Sequence, residues 1–334
     1  MKSVPKKLTC FIVLISIVLT TSCNETVNQE NTPPAQEDSS SEPKSQEKYI
    51  SLPEKMGVNE SLIMFNQTET GQPLIYTIGQ EEMKYYYTKY IFENNEWISE
   101  KAEFQDAVNK ENSKMPVQRV FIRGNFLYLV NAIILNKEKN QYDLLLYQYD
   151  LKKDKLKKLK FDQLTYTDES TGASYSIFDM QFIDDENFVA AYQSGKLICY
   201  NLPENTIKEY NGQIYGNFKV FQDEIFTGDS AKKNIIGIDL PSLNASDKIT
   251  LDLQTNGYNF CASGDELYVG CKNGIFSLSG SEAKKIIDGT CFSTYAINDN
   301  SQIVALCRDN DQFYVLFSEG NSYKFYAYPV VEGV

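Results

Sequence analysis

The chain contains no histidine among its 334 residues. That absence removes the Ser-His-Asp and Cys-His catalytic arrangements, His-ligated zinc and the HExxH metalloprotease site. No C-x-x-C pair occurs, so a zinc site would need an all-thiolate or carboxylate shell; no metal or other cofactor is expected. Glycine-rich phosphate cradles are missing too, in both the G-x-G-x-x-G and the G-x-x-x-x-G-K-[ST] forms. Positive charge is scarce. With 32 Lys+Arg against 45 Asp+Glu, the net charge is -13. Removing residues 1–22, which carry Lys2, Lys6 and Lys7 and no acid, takes it to -16. Nucleic acid and anionic membrane surfaces need a dense cationic footprint and are excluded as main partners. Tryptophan occurs once, against 23 Tyr and 19 Phe, and this aromatic balance leans toward β structure.

What is present begins with an address. Lys2, Lys6 and Lys7 precede the apolar stretch Leu8 to Leu19. That stretch is shorter than the roughly 20 residues of a membrane-spanning helix and has the length of a signal-peptide core. Leu19-Thr-Thr-Ser-Cys23 follows and resembles the lipobox of bacterial lipoproteins, although Thr20 stands where Leu is usual. The expectation is a signal peptide over 1–22 and lipidation at Cys23, which would anchor the protein to a membrane by its acyl chains, facing outside the cytoplasm. Ordinary secretory cleavage near Ser22 is the alternative. Residues 23–48 then read as a lipidated Cys and a disordered acidic tether, with no aromatic residue before Tyr49 and too little apolar surface to fold.

Residues 49–334 show short apolar runs separated by Asn, Asp and Gly turns, with no sustained helical period. Glu100 to Lys114 is the best helical candidate, but it is polar and reads as a loop with one helical turn at most. A hairpin unit recurs at Phe121–Tyr128, Phe182–Val189, Phe221–Phe226, Cys261–Tyr268 and Ile297–Val304. Each is followed by a further strand pair, as in Tyr149-Asp-Leu and Tyr200-Asn-Leu. Six four-stranded meanders result, at roughly 60–104, 118–161, 175–212, 213–253, 256–288 and 291–329. The fold class is therefore all-β, a β-propeller of about six four-stranded blades, with seven blades or a β-sandwich as alternatives. Lys48 to Pro53 is a spare strand, expected to close the ring against Tyr323 to Tyr328.

The lipobox-like run, the acidic tether, Tyr49-Ile-Ser-Leu-Pro-Glu54 and the degenerate meanders together resemble the amino-terminal part of large solute-binding lipoproteins of Gram-positive ABC transporters. In that family a propeller-like region precedes the solute-binding domain. The resemblance implies a link to transporter solute capture. The sequence given ends at Tyr328 to Val334, where a two-lobed domain would begin, so the expectation is a propeller acting alone or a piece of a longer chain.

Candidate sites divide by residue type. Cys199, Cys261, Cys271, Cys291 and Cys307 fall on expected strands and read as small buried hydrophobes, with Cys199 and Cys307 mostly buried and unpaired. Cys271 and Cys307 are expected at equivalent ends of second strands, and a turn at Gly264-Asp265 would set Cys261 opposite Tyr268, a poor geometry for a Cys261–Cys271 disulfide. Asp184-Asp185-Glu186, Asn298-Asp299-Asn300 and Asp309-Asn310-Asp311 fit turn chemistry and do not continue as a calcium loop. Tyr85 to Phe92 places aromatics on both faces of one strand, as packing between blades requires; a sugar-stacking platform is the sharper alternative. Lys152 to Lys160 reads as a solvated edge strand. No catalytic or ligand-binding residue can be nominated. The functional expectation is a non-catalytic propeller that binds a small molecule, carbohydrate among the candidates, or a protein. Rival readings are a glycosidase or lyase working through paired carboxylates and an envelope docking scaffold.

Overall fold

The computed structural model describes residues 48–53, 56, 60–68, 71–81, 84–104, 117–159, 164–229, 234–240, 242–251, 258–293, 301–309, 311–319 and 322–330. The signal-peptide reading and the tether reading, with Cys23, lie outside the described residues except at Lys48, which opens a strand and is not part of the tether. Asn298-Asp299-Asn300 also lies outside them.

Six four-stranded antiparallel sheets follow one another along the chain. Blade I comprises β2 (Glu60–Gln67), β3 (Pro73–Glu81), β4 (Lys84–Glu93) and β5 (Glu96–Glu103). Blade II holds β6 (Val117–Arg123), β7 (Phe126–Asn136), β8 (Gln141–Asp150) and β9 (Lys155–Leu159). A two-stranded ribbon, β10 (Tyr166–Thr167) and β11 (Ser174–Tyr175), leads to blade III: β12 (Ile177–Phe182), β13 (Asn187–Tyr192), β14 (Leu197–Asn201) and β15 (Thr206–Glu209). Blade IV is β16 (Ile214–Phe221), β17 (Glu224–Asp229), β18 (Ile235–Asp239) and β19 (Ala245–Ile249); blade V is β20 (Asn259–Ser263), β21 (Glu266–Cys271), β22 (Gly274–Ser279) and β23 (Glu282–Asp288). Blade VI takes β24 (Gln302–Asp309), β25 (Gln312–Glu319) and β26 (Ser322–Pro329) from the end of the described chain and its outermost strand, β1 (Lys48–Ile50), from the start.

Ring closure is visible in two ways. The first strands of successive blades neighbour one another in the cycle β2, β6, β12, β16, β20, β24 and back to β2. And β1 pairs with β26 in the register Lys48↔Ala327, Tyr49↔Tyr326, Ile50↔Phe325, the contact expected of the spare strand. Two bonds then tie this segment to blade I: Lys48 Nζ donates to Asn95 Oδ1 at 2.6 Å, and Trp97 Nε1 donates to Ser51 O at 2.9 Å.

The hydrophobic core is likewise cyclic, one cluster lying between each pair of consecutive blades, including blades VI and I. Strand alternation explains how. Along β13, Phe188, Ala190 and Tyr192 pack toward blade II, while Val189 and Ala191 pack toward blade IV. A strand buried on both faces must be apolar throughout, and this is why the second strands read as continuous hydrophobic runs. The apolar residues of β4 follow the same rule: Tyr85, Tyr87 and Ile91 meet blade II, and Phe92 meets blade VI.

The structure corrects four expectations. Glu100 to Glu103 belong to β5 and are not a loop; this outermost strand is polar because it is exposed, and Lys101 pairs with Glu81 at 2.9 Å. The last hairpin turns between Asp309 and Gln312, one strand later than the expected hairpin at Ile297–Val304, because Gln302 opens an innermost strand. Cys307 consequently lies on that innermost strand, not on a second strand equivalent to that of Cys271. Cys291 sits in a one-turn helix, Thr290–Ser293. All five described cysteines are free thiols; Cys199 and Cys307 are mostly buried and unpaired, as expected, and Cys261 faces Tyr268 across its hairpin.

Candidate functional site in the central channel

The six innermost strands surround a central cavity of about 640 Å³. Five of the six carry a bulge near the start, between Glu60 and Leu62, Val117 and Arg119, Ile177 and Asp179, Tyr215 and Phe218, and Ile303 and Ala305. A bulge re-aims the side chains beside it. Counted back from the turn that ends each innermost strand, equivalent positions are Arg119, Asp179, Asn217, Asn259 and Ala305, and two residues further on Phe121, Gln181, Lys219, Cys261 and Cys307. All of them line the cavity.

The amides among these residues lace the ring together. Gln181 Nε2 donates to Phe218 O, and Gln181 Oε1 accepts from the Val220 N–H at 3.0 Å, so one side chain of blade III imitates a paired strand for β16. Asn217 Nδ2 donates to Tyr258 O at 3.1 Å, and Asn259 Nδ2 donates to Val304 O at 2.9 Å. Each blade from III to V thus supplies an amide to the next. Innermost strands have one unpaired edge, and their buried carbonyls need partners.

The charged groups differ. Asp179 accepts from its neighbour Met180 N–H at 2.8 Å and from Gln181 Nε2 at 3.3 Å. Burial pushes its carboxyl up to about 6, against the opposing pull of these bonds and of Lys219. Burial also lowers the Lys219 ammonium, partly offset by Cys261 and Asp179. It lowers the Arg119 guanidinium as well, with Tyr142 opposing. Arg123, also in the wall, is engaged elsewhere. It donates to Asp184 O, pairs with Asp185 at 3.1 Å and lies over the Phe182 ring. Burial pushes Cys261 up to about 12 and Cys307 well above the usual thiol range, so both stay protonated at neutral pH and are poor nucleophiles. Among the described residues lining the cavity, Asp179 is the one carboxylate, so this cavity does not assemble the pair that glycoside hydrolysis uses. The Asp184 cluster does what turn carboxylates do: Asp184 Oδ1 accepts from the Glu186 and Asn187 N–H groups, both at 2.7 Å.

Sequence reasoning nominated none of Arg119, Asp179 or Lys219, which lie 40 to 60 residues apart. Their shared phase within the repeat, counted back from the turn that follows each innermost strand, is the signal that picks them out.

No family model matches the sequence, and no curated protein matches it. Solved structures resemble the fold. BamB from Moraxella catarrhalis matches over 80% of this chain and 82% of its own, with 10% identity and a TM-score of 0.41. YCF48 from Cyanidioschyzon merolae matches over 85% and 98%, with 10% identity and a TM-score of 0.45. A luciferin-regenerating enzyme matches over 82% and 94%, with 11% identity and a TM-score of 0.49. At such identity the likeness concerns the fold alone; the six blades rest on this chain's own ladders.

Proposed function

We propose that this protein is a cell-surface lipoprotein, lipidated at Cys23, whose propeller binds a small molecule in its central channel without transforming it. The observation that carries the reading is the set of Lys219, Arg119 and Asp179 in the wall of a cavity of about 640 Å³, a volume typical of small-molecule sites. Residues 1–22 act as the export signal and residues 23–47 as the tether that holds the propeller off the bilayer. Solute capture beside an ABC permease is the setting that the amino-terminal resemblance suggests. A second reading, protein docking, is favoured by the hairpin of β7 and β8, where Ile134 and Leu135 are 65% and 61% exposed.

Two experiments test this reading. Cys23→Ala should abolish acyl labelling and release the protein from membranes; labelling that persists in the variant would remove the anchor. Ala262→Phe narrows the channel wall. A small molecule that stabilises the native chain against heat should lose its effect in that variant. Equal stabilisation of both would move the site out of the channel.

A further inference from the structure

Lys219 makes no side-chain hydrogen bond or ion pair with another described residue. Its equivalents in the repeat are Phe121, Gln181, Cys261 and Cys307, so an uncharged residue satisfies the ring at this position. The amides around it are committed to neighbouring strands: Gln181 to Phe218 O and Val220 N–H, Asn217 to Tyr258 O, Asn259 to Val304 O. Arg123 is held by Asp185. Among the described residues no carboxylate lies within ion-pair distance of Lys219; Asp179 acts on it only through its field. An ammonium carries three donors and no acceptor, and the half-buried Lys219 lines the channel without an acceptor from the described residues. The wall also holds the Arg119 guanidinium, whereas its carboxylate, Asp179, already accepts two protein hydrogen bonds. Cations thus exceed anions among the described lining groups, inside a chain whose net charge is -13. The same wall includes Phe65, Phe121 and Phe182, which suit an organic body more than a bare ion.

We propose that the channel around Lys219 binds a small organic anion, its carboxylate or phosphate oxygens accepting from the Lys219 ammonium within the field of Arg119. The proposal rests on the channel being the binding site and adds the class of ligand. An anion supplies the acceptors that the protein withholds, in a site where low dielectric strengthens the contact. The acidic exterior repels an anionic ligand, so association should rise with ionic strength while the bound contact with the channel cations weakens.

Calorimetric titration of the chain with citrate, glucose 6-phosphate and glucose tests it. The expected result is that at least one of the two anions binds, that glucose binds at least tenfold more weakly than glucose 6-phosphate, and that Lys219→Met weakens anion binding at least tenfold. Lys219→Gln serves if the Met variant fails to fold, and the ratio of glucose 6-phosphate to glucose in the native chain needs no variant. Failure of both anions to bind at millimolar concentration would overturn the proposal, as would glucose binding as tightly as its phosphate. Glucose binding that Ala262→Phe abolishes and Lys219→Met spares would overturn the anion class while leaving the channel as the site. Binding untouched by Ala262→Phe would overturn both.

Discussion

The innermost and outermost strands of each blade make the same antiparallel ladder, yet their sequences are opposites. The outermost strands carry charge freely: Glu-Trp-Ile-Ser-Glu-Lys-Ala-Glu in β5, Lys-Leu-Lys-Lys-Leu in β9, Glu-Ala-Lys-Lys-Ile-Ile-Asp in β23. These charges face water, pair across the ladder as Lys196–Glu209 at 3.1 Å and Lys248–Glu224 at 2.7 Å, and discourage a foreign strand from adding to the edge. The innermost strands are largely apolar, as Ile-Phe-Asp-Met-Gln-Phe in β12 shows, and their few charges are single residues set among apolar ones. A lysine on β9 needs no explanation beyond its edge. A lysine on β16 lines the channel and holds no ion-pair partner among the described residues, and the same residue type therefore means solvation in one place and a site in the other.

Four substitutions or deletions break or sharpen that comparison, in order of expected effect. Removing Lys48–Ile50 strips blade VI of its outermost strand and exposes the face under the buried Ile50. This is the one outermost strand that also closes the ring. The loss should be about 3–5 kcal/mol, from one buried aliphatic side chain and the ladder bonds together. Urea unfolding monitored by hydrogen exchange should show protection falling in blades I and VI together, and loss confined to blade VI would separate closure from stability.

Asn259→Leu comes next. It leaves Val304 O without its partner at the channel edge. A buried acceptor so orphaned costs about 1–3 kcal/mol, to be read from the urea midpoint. A change below about 0.5 kcal/mol would show that the amide lacing is dispensable.

Asp179→Asn is the third and has a pH signature. The folded carboxyl is raised to about 6 from an ordinary value of 3.8, so its contribution favours folding less as pH rises through 6. The neutral variant should therefore be the more stable form above pH 6, by on the order of 1–2 kcal/mol once channel water is allowed for, and the advantage should fade between pH 6 and pH 4. A variant less stable than the native chain at pH 8 would show that the carboxylate is held for structural reasons.

The smallest effect belongs to the outer rim. Lys157→Gln on the exposed β9 should change stability by less than about 0.5 kcal/mol. A larger loss would blur the division between the two classes of strand.

The two classes also differ in how openly the sequence displays them. Second strands announce themselves, because Phe188 to Tyr192 or Phe313 to Phe317 must be apolar on both faces. Turn residues mark most hairpins, with Asn94 and Asn95 in the left-handed region and Gly264 at φ 58°. The closing strand was legible from its position after the tether and its alternation of Ile50 and Leu52 around Ser51. The last blade was misread by one strand because Ile-Asn-Asp-Asn-Ser-Gln-Ile imitates a hairpin as well as Cys-Arg-Asp-Asn-Asp-Gln-Phe does. Residues Glu100 to Glu103 were missed because an exposed edge strand carries no apolar period. The site was hidden more deeply. Arg119, Asp179 and Lys219 are single charges in separate blades, brought to one cavity by the ring and by bulges that no local pattern reveals.

The central claim is that Lys219 is present for a ligand and at some cost to the fold, as binding sites commonly are. The direct measurement is the unfolding free energy of Lys219→Met against the native chain, with no ligand added, by urea denaturation at pH 7. The account predicts a variant at least as stable as the native chain, because a desolvated ammonium gives way to an apolar side chain of similar length. A variant less stable by more than about 1 kcal/mol would make Lys219 a structural member of the wall and would contradict the claim.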